Sequence, residues 1–341
     1  MTSEAPPFWW ERPDWRAYAL SPLSLTYGFI AGRRMKTARR ARIDAPVLCV
    51  GNFTVGGSGK TPVAIALARE AARMGLVPGF LSRGHGGSFS GVHIVDVDHD
   101  SARHVGDEPL LLARHAPTAV SRDRIAGAKR LIGDKGCDFL IMDDGFQSAR
   151  VHMDFALLVV DARYGLGNGC VIPAGPLRAG IRDQLLFADA ILKVGEGTAA
   201  DAIVRRSARA GKPIYQAHTR PFDGKPWAGR RFLAFAGIGH PDKFFDSVAA
   251  AGGKVELAKA FPDHHFYAED ELAELAAMAD ADGLRLVTTS KDAARLRHEA
   301  PAGFQQNLEV LEIETTFDLP HTAERIIAQA VEGWRRRRLE S

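Results

Sequence analysis

The sequence predicts an α/β protein built from a layered α/β/α domain with a mostly parallel sheet and a second, smaller α/β domain. Three observations carry that expectation. Short apolar, β-rich runs alternate with helical patterns from Val47 to Val194. A turn-rich stretch, Arg220-Pro-Phe-Asp-Gly-Lys-Pro226, then interrupts the alternation, which restarts at Arg231. The chain, at 341 residues, also exceeds what one hydrophobic core usually organises. We place the first domain at residues 1–222 and the second at 223–341, with the last helix able to return to the first domain.

The elements follow in order. Residues 18–32 are apolar, but Pro22 and several polar residues interrupt them and the run is too short to span a bilayer. No basic start or small-residue cleavage site makes it a signal peptide. Six cations follow directly: Arg33, Arg34, Lys36, Arg39, Arg40 and Arg42. An apolar segment ending in cations suits a helix lying in a membrane interface, with Tyr18, Leu20, Leu23, Tyr27 and Ile30 toward lipid. Packing on the protein's own core is equally open. A second cluster, residues 335–338, closes the chain, so a net charge of only +3 hides an uneven distribution. Such clusters fit an anionic partner, either an acidic membrane surface or a nucleic acid.

Strands are expected at 47–52, 77–82, 139–142, 155–161 and 190–194, with helices at 60–74, 107–115 and 122–134 between them. Apolar strands separated by helices indicate a parallel sheet covered on both faces. Residues 92–97 read as a local hairpin strand. In the second part, strands at 231–237, 255–260 and 284–289 alternate with helices at 242–251 and 269–280. A strand at 308–313 and a helix at 322–337 end the chain. Hydrophobic residues at 46% and charged ones at 25% are ordinary for a folded globular chain. Cys49, Cys137 and Cys170 are widely spaced and match no metal-binding pattern, which suits a reducing compartment.

The strongest chemical signal is Thr54-Val55-Gly56-Gly57-Ser58-Gly59-Lys60-Thr61, set between a predicted strand and a predicted helix. Glycines let backbone N–H groups curl around phosphates, Lys60 reaches the β- and γ-phosphates, and Thr61 ligates magnesium, so the segment reads as a P-loop for ATP and Mg2+. Thr54 stands where the pattern usually begins with glycine. The apolar run 139–142 then delivers Asp143 and Asp144 at a strand end, where paired carboxylates hold hydrated magnesium. Two further segments bear on the phosphate acceptor. Asp107, in Gly106-Asp-Glu-Pro109, and His264, in Phe261-Pro-Asp-His264, are able to accept a hydroxyl proton together across a cleft. Equally, Asp107 suits a helix start and His264 a polar loop.

The ordered set Gly51-Asn52, the P-loop, Leu81-Ser-Arg83-Gly84, Gly106-Asp-Glu-Pro109, Asp143-Asp-Gly-Phe-Gln147, Pro173 through Arg178, and Phe261 through His264 resembles the tetraacyldisaccharide 4'-kinase family. The resemblance runs from about residue 46 to Lys291-Asp292. It implies transfer of the ATP γ-phosphoryl group to the 4'-hydroxyl of a tetraacylated disaccharide 1-phosphate, at the cytoplasmic face of a bacterial inner membrane. It further implies Asp107 as catalytic base with His264 as partner, Asp143 and Asp144 near the metal, and Arg83, Gln147 and Arg178 near substrate. No nucleic acid or obligate protein partner is expected. There are two departures: Ala179 follows Arg178 where the family usually has glutamate, and Arg83-Gly84 is followed by His85 in place of tyrosine. The rival reading, a P-loop GTPase or ATPase switch acting on a protein, would need a guanine-selecting Asn-Lys-x-Asp segment. The nearest is Thr289-Ser-Lys291-Asp292.

Overall fold

Strands β1 (Val47–Asn52), β2 (Pro78–Ser82), β3 (Val92–Ile94), β4 (Thr118–Ser121), β5 (Phe139–Asp143), β6 (Phe155–Asp161), β7 (Ala190–Val194) and β8 (Ile214–Pro221) carry the first part of the chain. A second run follows: β9 (Arg231–Ala236), β10 (Lys254–Ala260), β11 (Arg285–Thr289) and β12 (Leu308–Leu311), with β13 (Ile313–Phe317) after it. The structure is a computed structural model describing residues 5–148, 150–222 and 227–340. Most of the turn-rich stretch where the domain boundary was expected, residues 223–226, lies outside the described residues.

The large sheet has nine strands in the order β13-β8-β7-β6-β1-β5-β2-β4-β3, and the small sheet has four in the order β10-β9-β11-β12. From β8 to β4 every pairing in the large sheet is parallel. The edge strands β3 and β13 run antiparallel to their neighbours. Every residue of β1, β5 and β6 is buried, because helices cover both faces of the sheet, which is what the unbroken apolar runs predict. Two apolar clusters, one on each face, include Cys49, Leu158 and Ile191 on one side and Leu48, Leu67 and Ile141 on the other. The expected architecture, a mostly parallel layered sheet plus a smaller α/β unit, is the one observed.

Several local expectations change. β4 was not foreseen, since Thr-Ala-Val-Ser is short and half polar. The strand near residue 92 is no local hairpin, because it pairs with β4 beyond two intervening helices. Residues 308–313 divide between the two sheets: β12 closes the small one, and β13 adds antiparallel to β8. The C-terminal helix Thr322–Leu339 then packs on the helix Lys60–Arg73 and on β1. There the buried Arg337 donates to Asp154 at 2.8 Å and to the Ile43 carbonyl at 3.0 Å.

The N-terminal apolar stretch forms one helix, Trp15–Thr37, capped by Asp14. Its narrow inward face is made of small residues and one methionine: Ala17, Ser24, Gly32 and Met35. Ser24 Oγ donates to the Val171 carbonyl at 2.6 Å, and Lys36 pairs with Asp183 at 2.5 Å. Tyr18, Leu23, Tyr27 and Ile30 are exposed as expected, and Trp15, Leu25 and Phe29 join them. Leu20 instead packs beside Phe8 and Trp9. Among the described residues, no helix is long and apolar enough to cross a membrane.

Candidate active site

β1 ends at Asn52, and the chain turns from it into the helix that starts at Lys60. Gly56 and Gly59 make that turn with φ of +100° and +80°, left-handed values that glycine adopts without a Cβ clash. β5 lies parallel beside β1, with Asp143 paired to Val50. The P-loop and the carboxylates therefore emerge at the same edge of the sheet. Phe146 locks the turn after Asp144. It is fully buried, and a Cβ on Gly51 would lie only 2.6 Å from the Phe146 Cβ. Truncating such a ring costs about 3–5 kcal/mol.

Thr61 Oγ1 donates to Asp143 Oδ2 at 3.4 Å. The other oxygen of Asp143 is buried without a partner, as are Ser58 Oγ and Asn52 Oδ1. Burial, together with the Glu108 charge, pushes the Asp143 carboxyl up to about 7. Asp144 behaves oppositely. Burial disfavours its charge, but Lys60 and Arg178 hold it well below the usual carboxylate range. The Lys60 Nζ stands 3.9 Å from it.

Arg178 grips both oxygens of Asp144, at 2.8 and 2.9 Å, and its Nε donates to the Thr54 carbonyl at 3.0 Å. Gln147 donates to the Asn52 carbonyl at 2.7 Å and to Gln184 at 2.9 Å. Both residues were expected near substrate. They line the cleft, yet their donors face the protein and brace the loop that carries the acids. The acid fixing Arg178 is Asp144, while Ala179, at the first departure, is wholly buried. Arg83 is different: it is exposed at the cleft with no ion pair to any described residue.

Asp107 opens the helix Asp107–Ala113 after Gly106, whose φ is +95° and whose Cβ, if present, would lie 2.7 Å from the His85 carbonyl oxygen. Its side chain is 3% exposed. Oδ1 accepts the Glu108 N–H at 2.9 Å, while Oδ2 meets Arg295 Nε at 2.9 Å, Arg295 Nη2, and His264 Nδ1 at 3.4 Å. The structure thus brings Asp107 and His264 together. Burial opposes the Asp107 charge, but His264, Arg295 and Lys291 more than offset it and hold the carboxyl far below its ordinary range. The same hydrogen bond raises the His264 pKa. His85, the second departure, places its ring 5.7 Å from that of His264.

Sequence reasoning missed Arg295, and it gave Lys291 and Asp292 no role. All lie on the helix Ser290–Leu296, capped by Thr289. Lys291 pairs with Glu108 at 2.5 Å, and Arg295 bridges Asp107 and Asp292. The available signal was the spacing of Asp292 and Arg295, three apart and so on one helix face. That same segment was the nearest approach to a guanine-selecting motif. Asp292 is fully buried and accepts from Tyr267 and Gly237, so it does not face a base.

A cleft of ≈ 2030 Å³ joins these parts, lined by the P-loop, Asp143, Arg83, His264 and Lys291 and reaching Tyr27 and Ile30 of the N-terminal helix. The buried, unpartnered Asp143 oxygen beside the Thr61 hydroxyl is an all-oxygen donor set of the kind a hard divalent cation takes.

A family model described as Tetraacyldisaccharide-1-P 4'-kinase matches residues 16–332. A protein of Mesorhizobium japonicum named tetraacyldisaccharide 4'-kinase is 68% identical over the whole of both chains. One of the same name from Chelativorans is 55% identical over 99% of each. Among solved structures, LpxK from Aquifex aeolicus in complex with ATP is similar with a TM-score of 0.71 and 25% identity, covering 92% of this chain and 99% of that one.

Proposed function

The chain belongs to the tetraacyldisaccharide-1-phosphate 4'-kinase family and phosphorylates the 4'-hydroxyl of that lipid from ATP, and from that premise we propose which residues do so and where. The reading rests chiefly on one observation: a P-loop with its acidic strand end opens on the same cleft as His264, which the buried Asp107 backs. Lys60 and the loop backbone hold the β- and γ-phosphates of ATP. Thr61 and Asp143 would hold Mg2+, with Asp144 fixed beside them by Arg178. The cation would neutralise charge on the transferring phosphoryl group. Arg83 faces the cleft free to meet the substrate's phosphate or the γ-phosphate. Asp107 and His264 act as one unit that accepts the 4'-hydroxyl proton while the cleft aligns that oxygen with the γ-phosphorus.

The N-terminal helix supplies the membrane contact. Trp15, Tyr18, Leu25 and Phe29, three, seven and four residues apart, form one exposed stripe that borders the small inward face. This outward apolar face, followed by the cations of residues 33–42, supports a peripheral helix seated in an anionic leaflet at the cytoplasmic face, where ATP is found. Since Tyr27 and Ile30 also line the cleft, acyl chains have an apolar path from lipid to the site.

The test is incubation with labelled ATP and the lipid disaccharide phosphate, with and without Mg2+, followed by chromatography of the lipid. Labelled lipid should form only with Mg2+ present. Separately, Leu25→Ser with Phe29→Ser should weaken binding to anionic vesicles by roughly 100-fold or more, since each of the two apolar side chains contributes about 1.5–3 kcal/mol when fully buried. Turnover of detergent-dispersed substrate should change far less. Unaltered vesicle binding would remove the helix from the membrane.

A further inference from the structure

Away from the P-loop, three metal-ligating side chains converge at one edge of the large sheet. His93 stands on the edge strand β3, Asp100 follows in the next turn, and His104 lies on the short helix Ala102–Val105. One nitrogen of each histidine and a carboxylate oxygen lie within 4.8 Å of one another. His93 Nε2 is 2.6 Å from Asp100 Oδ2, and His104 Nδ1 is 3.1 Å from Oδ1. Asp100 is only 7% exposed, and its Oδ2 also accepts the Asp96 N–H at 2.8 Å, so the carboxylate is held facing inward. The Phe89 ring packs on both imidazoles, its centroid 5.3 Å from that of His93 and 5.2 Å from that of His104. Both histidines keep part of their side chains in solvent, which gives an ion a way in.

We propose that His93, Asp100 and His104 bind a divalent transition-metal ion of the Zn2+ class, with water as the fourth ligand. Two neutral imidazoles and one carboxylate are donors that such an ion selects, whereas Mg2+ takes oxygen donors and keeps several of its own waters. The site is thus chemically distinct from the Thr61–Asp143 pair at the P-loop. Bonds of about 2.0–2.1 Å in a tetrahedral shell put donor atoms roughly 3.3 Å apart. The three donors already lie near that spacing, so small side-chain rotations suffice to close the shell. In binding, the ion takes the place of the protons shared between the carboxylate and the imidazoles, and any proton on a ligating nitrogen is released to water.

The ion would join elements that have little else to hold them. β3 is three residues long and the helix after it four, too short for either to persist alone. Ser88 N–H donates to the Arg103 carbonyl at 2.9 Å and Phe89 N–H to the His104 carbonyl at 3.0 Å, which ties the preceding loop to this helix. The helix then leads through Gly106 directly into Asp107. Metal at this corner would fasten the sheet edge to the start of the Asp107 helix.

The experiment uses untagged full-length enzyme, stripped with chelator, then titrated with Co2+ and afterwards Zn2+ in the presence of excess Mg2+. One equivalent of Co2+ should produce the intense visible absorption of a four-coordinate ion, and Zn2+ should displace it. His93→Gln and His104→Gln, both at partly exposed positions, should each weaken Zn2+ affinity by more than the roughly 10- to 100-fold that loss of an outer-shell partner costs. Zn2+ should raise the thermal midpoint of wild type by several degrees and leave both variants unmoved. His99→Gln alters a neighbouring exposed histidine that pairs with Asp96, and it should bind Zn2+ as wild type does. Equal Zn2+ affinity in wild type and both ligand variants, no stoichiometric Zn2+ in wild type, or displacement of the ion by Mg2+ would each overturn the proposal and leave Asp100 as a hydrogen-bonding hub for two imidazoles.

Discussion

Asp143 and Asp107 are the same residue type, each 3% exposed, and their charges are handled in opposite ways. Asp143 has one oxygen without a partner, and burial pushes its carboxyl up to about 7. Asp107 meets Arg295, His264 and a backbone amide, and its carboxyl is held far below the ordinary range. Burial penalises both; the difference lies in whether the protein supplies the cation. At the P-loop side of the cleft a buried carboxylate oxygen has no partner in the protein. The side proposed above to accept the proton pairs its carboxylate with its own side chains.

The largest effect should come from the P-loop side. Lys60→Ala should lower kcat by roughly 10³-fold or more, since phosphoryl transfer relies on neutralising charge at the γ-phosphate. Because Arg178 still pairs both oxygens of Asp144 when Lys60 is gone, the thermal midpoint of the ligand-free variant should stay within a few degrees of wild type. A large loss of stability would make Lys60 structural and erase the contrast.

On the proton-accepting side, activity and stability should fall together. Asp107→Asn should reduce kcat by roughly 10²–10⁴-fold. It should also destabilise the protein by on the order of 2–4 kcal/mol, because Arg295 loses one of two buried counter-charges. His264→Ala should share the kinetic loss, and the double variant should be scarcely slower than the worse single one, as expected of groups acting as a unit. Multiplicative losses in the four-protein cycle would separate them.

The same contrast explains what the sequence made legible. The phosphate side is contiguous: a strand, seven residues of loop and a helix announce themselves in order, and a second strand ends in its acids. The central strands were equally plain because burial on both faces leaves unbroken apolar runs. The proton-accepting side draws on Asp107, His264 and Arg295, whose meeting depends on how the small sheet packs against the large one. Family resemblance pointed to the first two. Nothing local marks Arg295, a charged residue on a seven-residue helix, as buried. Arg178 shows a related limit: its type suited a phosphate, whereas its geometry ties it to Asp144. β4 escaped notice because four half-polar residues carry almost no periodic signal, and only the neighbouring strands make them one.

The one expected gain in stability is also the most direct test of the comparison. Asp143→Asn should stabilise the ligand-free protein while abolishing most turnover. A carboxyl whose folded pKa is raised from 3.8 to about 7 favours the folded state while protonated, and that contribution is lost as pH rises through about 7. At pH 8 wild type therefore carries a buried, uncompensated charge that asparagine lacks. The gain should be on the order of 4 kcal/mol, from about 1.4 kcal/mol per pKa unit. It should grow between about pH 4 and pH 7 and level off above. Mg2+ with ATP should narrow the gap by stabilising wild type more than the variant, since the cation compensates a charge only wild type has. Thermal midpoints of both proteins at pH 5 and pH 8, with and without Mg2+ and ATP, make the measurement. A gap that ignores pH, or that Mg2+ and ATP leave unchanged, would mean that Asp143 is satisfied by the protein itself, and the two aspartates would no longer differ in kind.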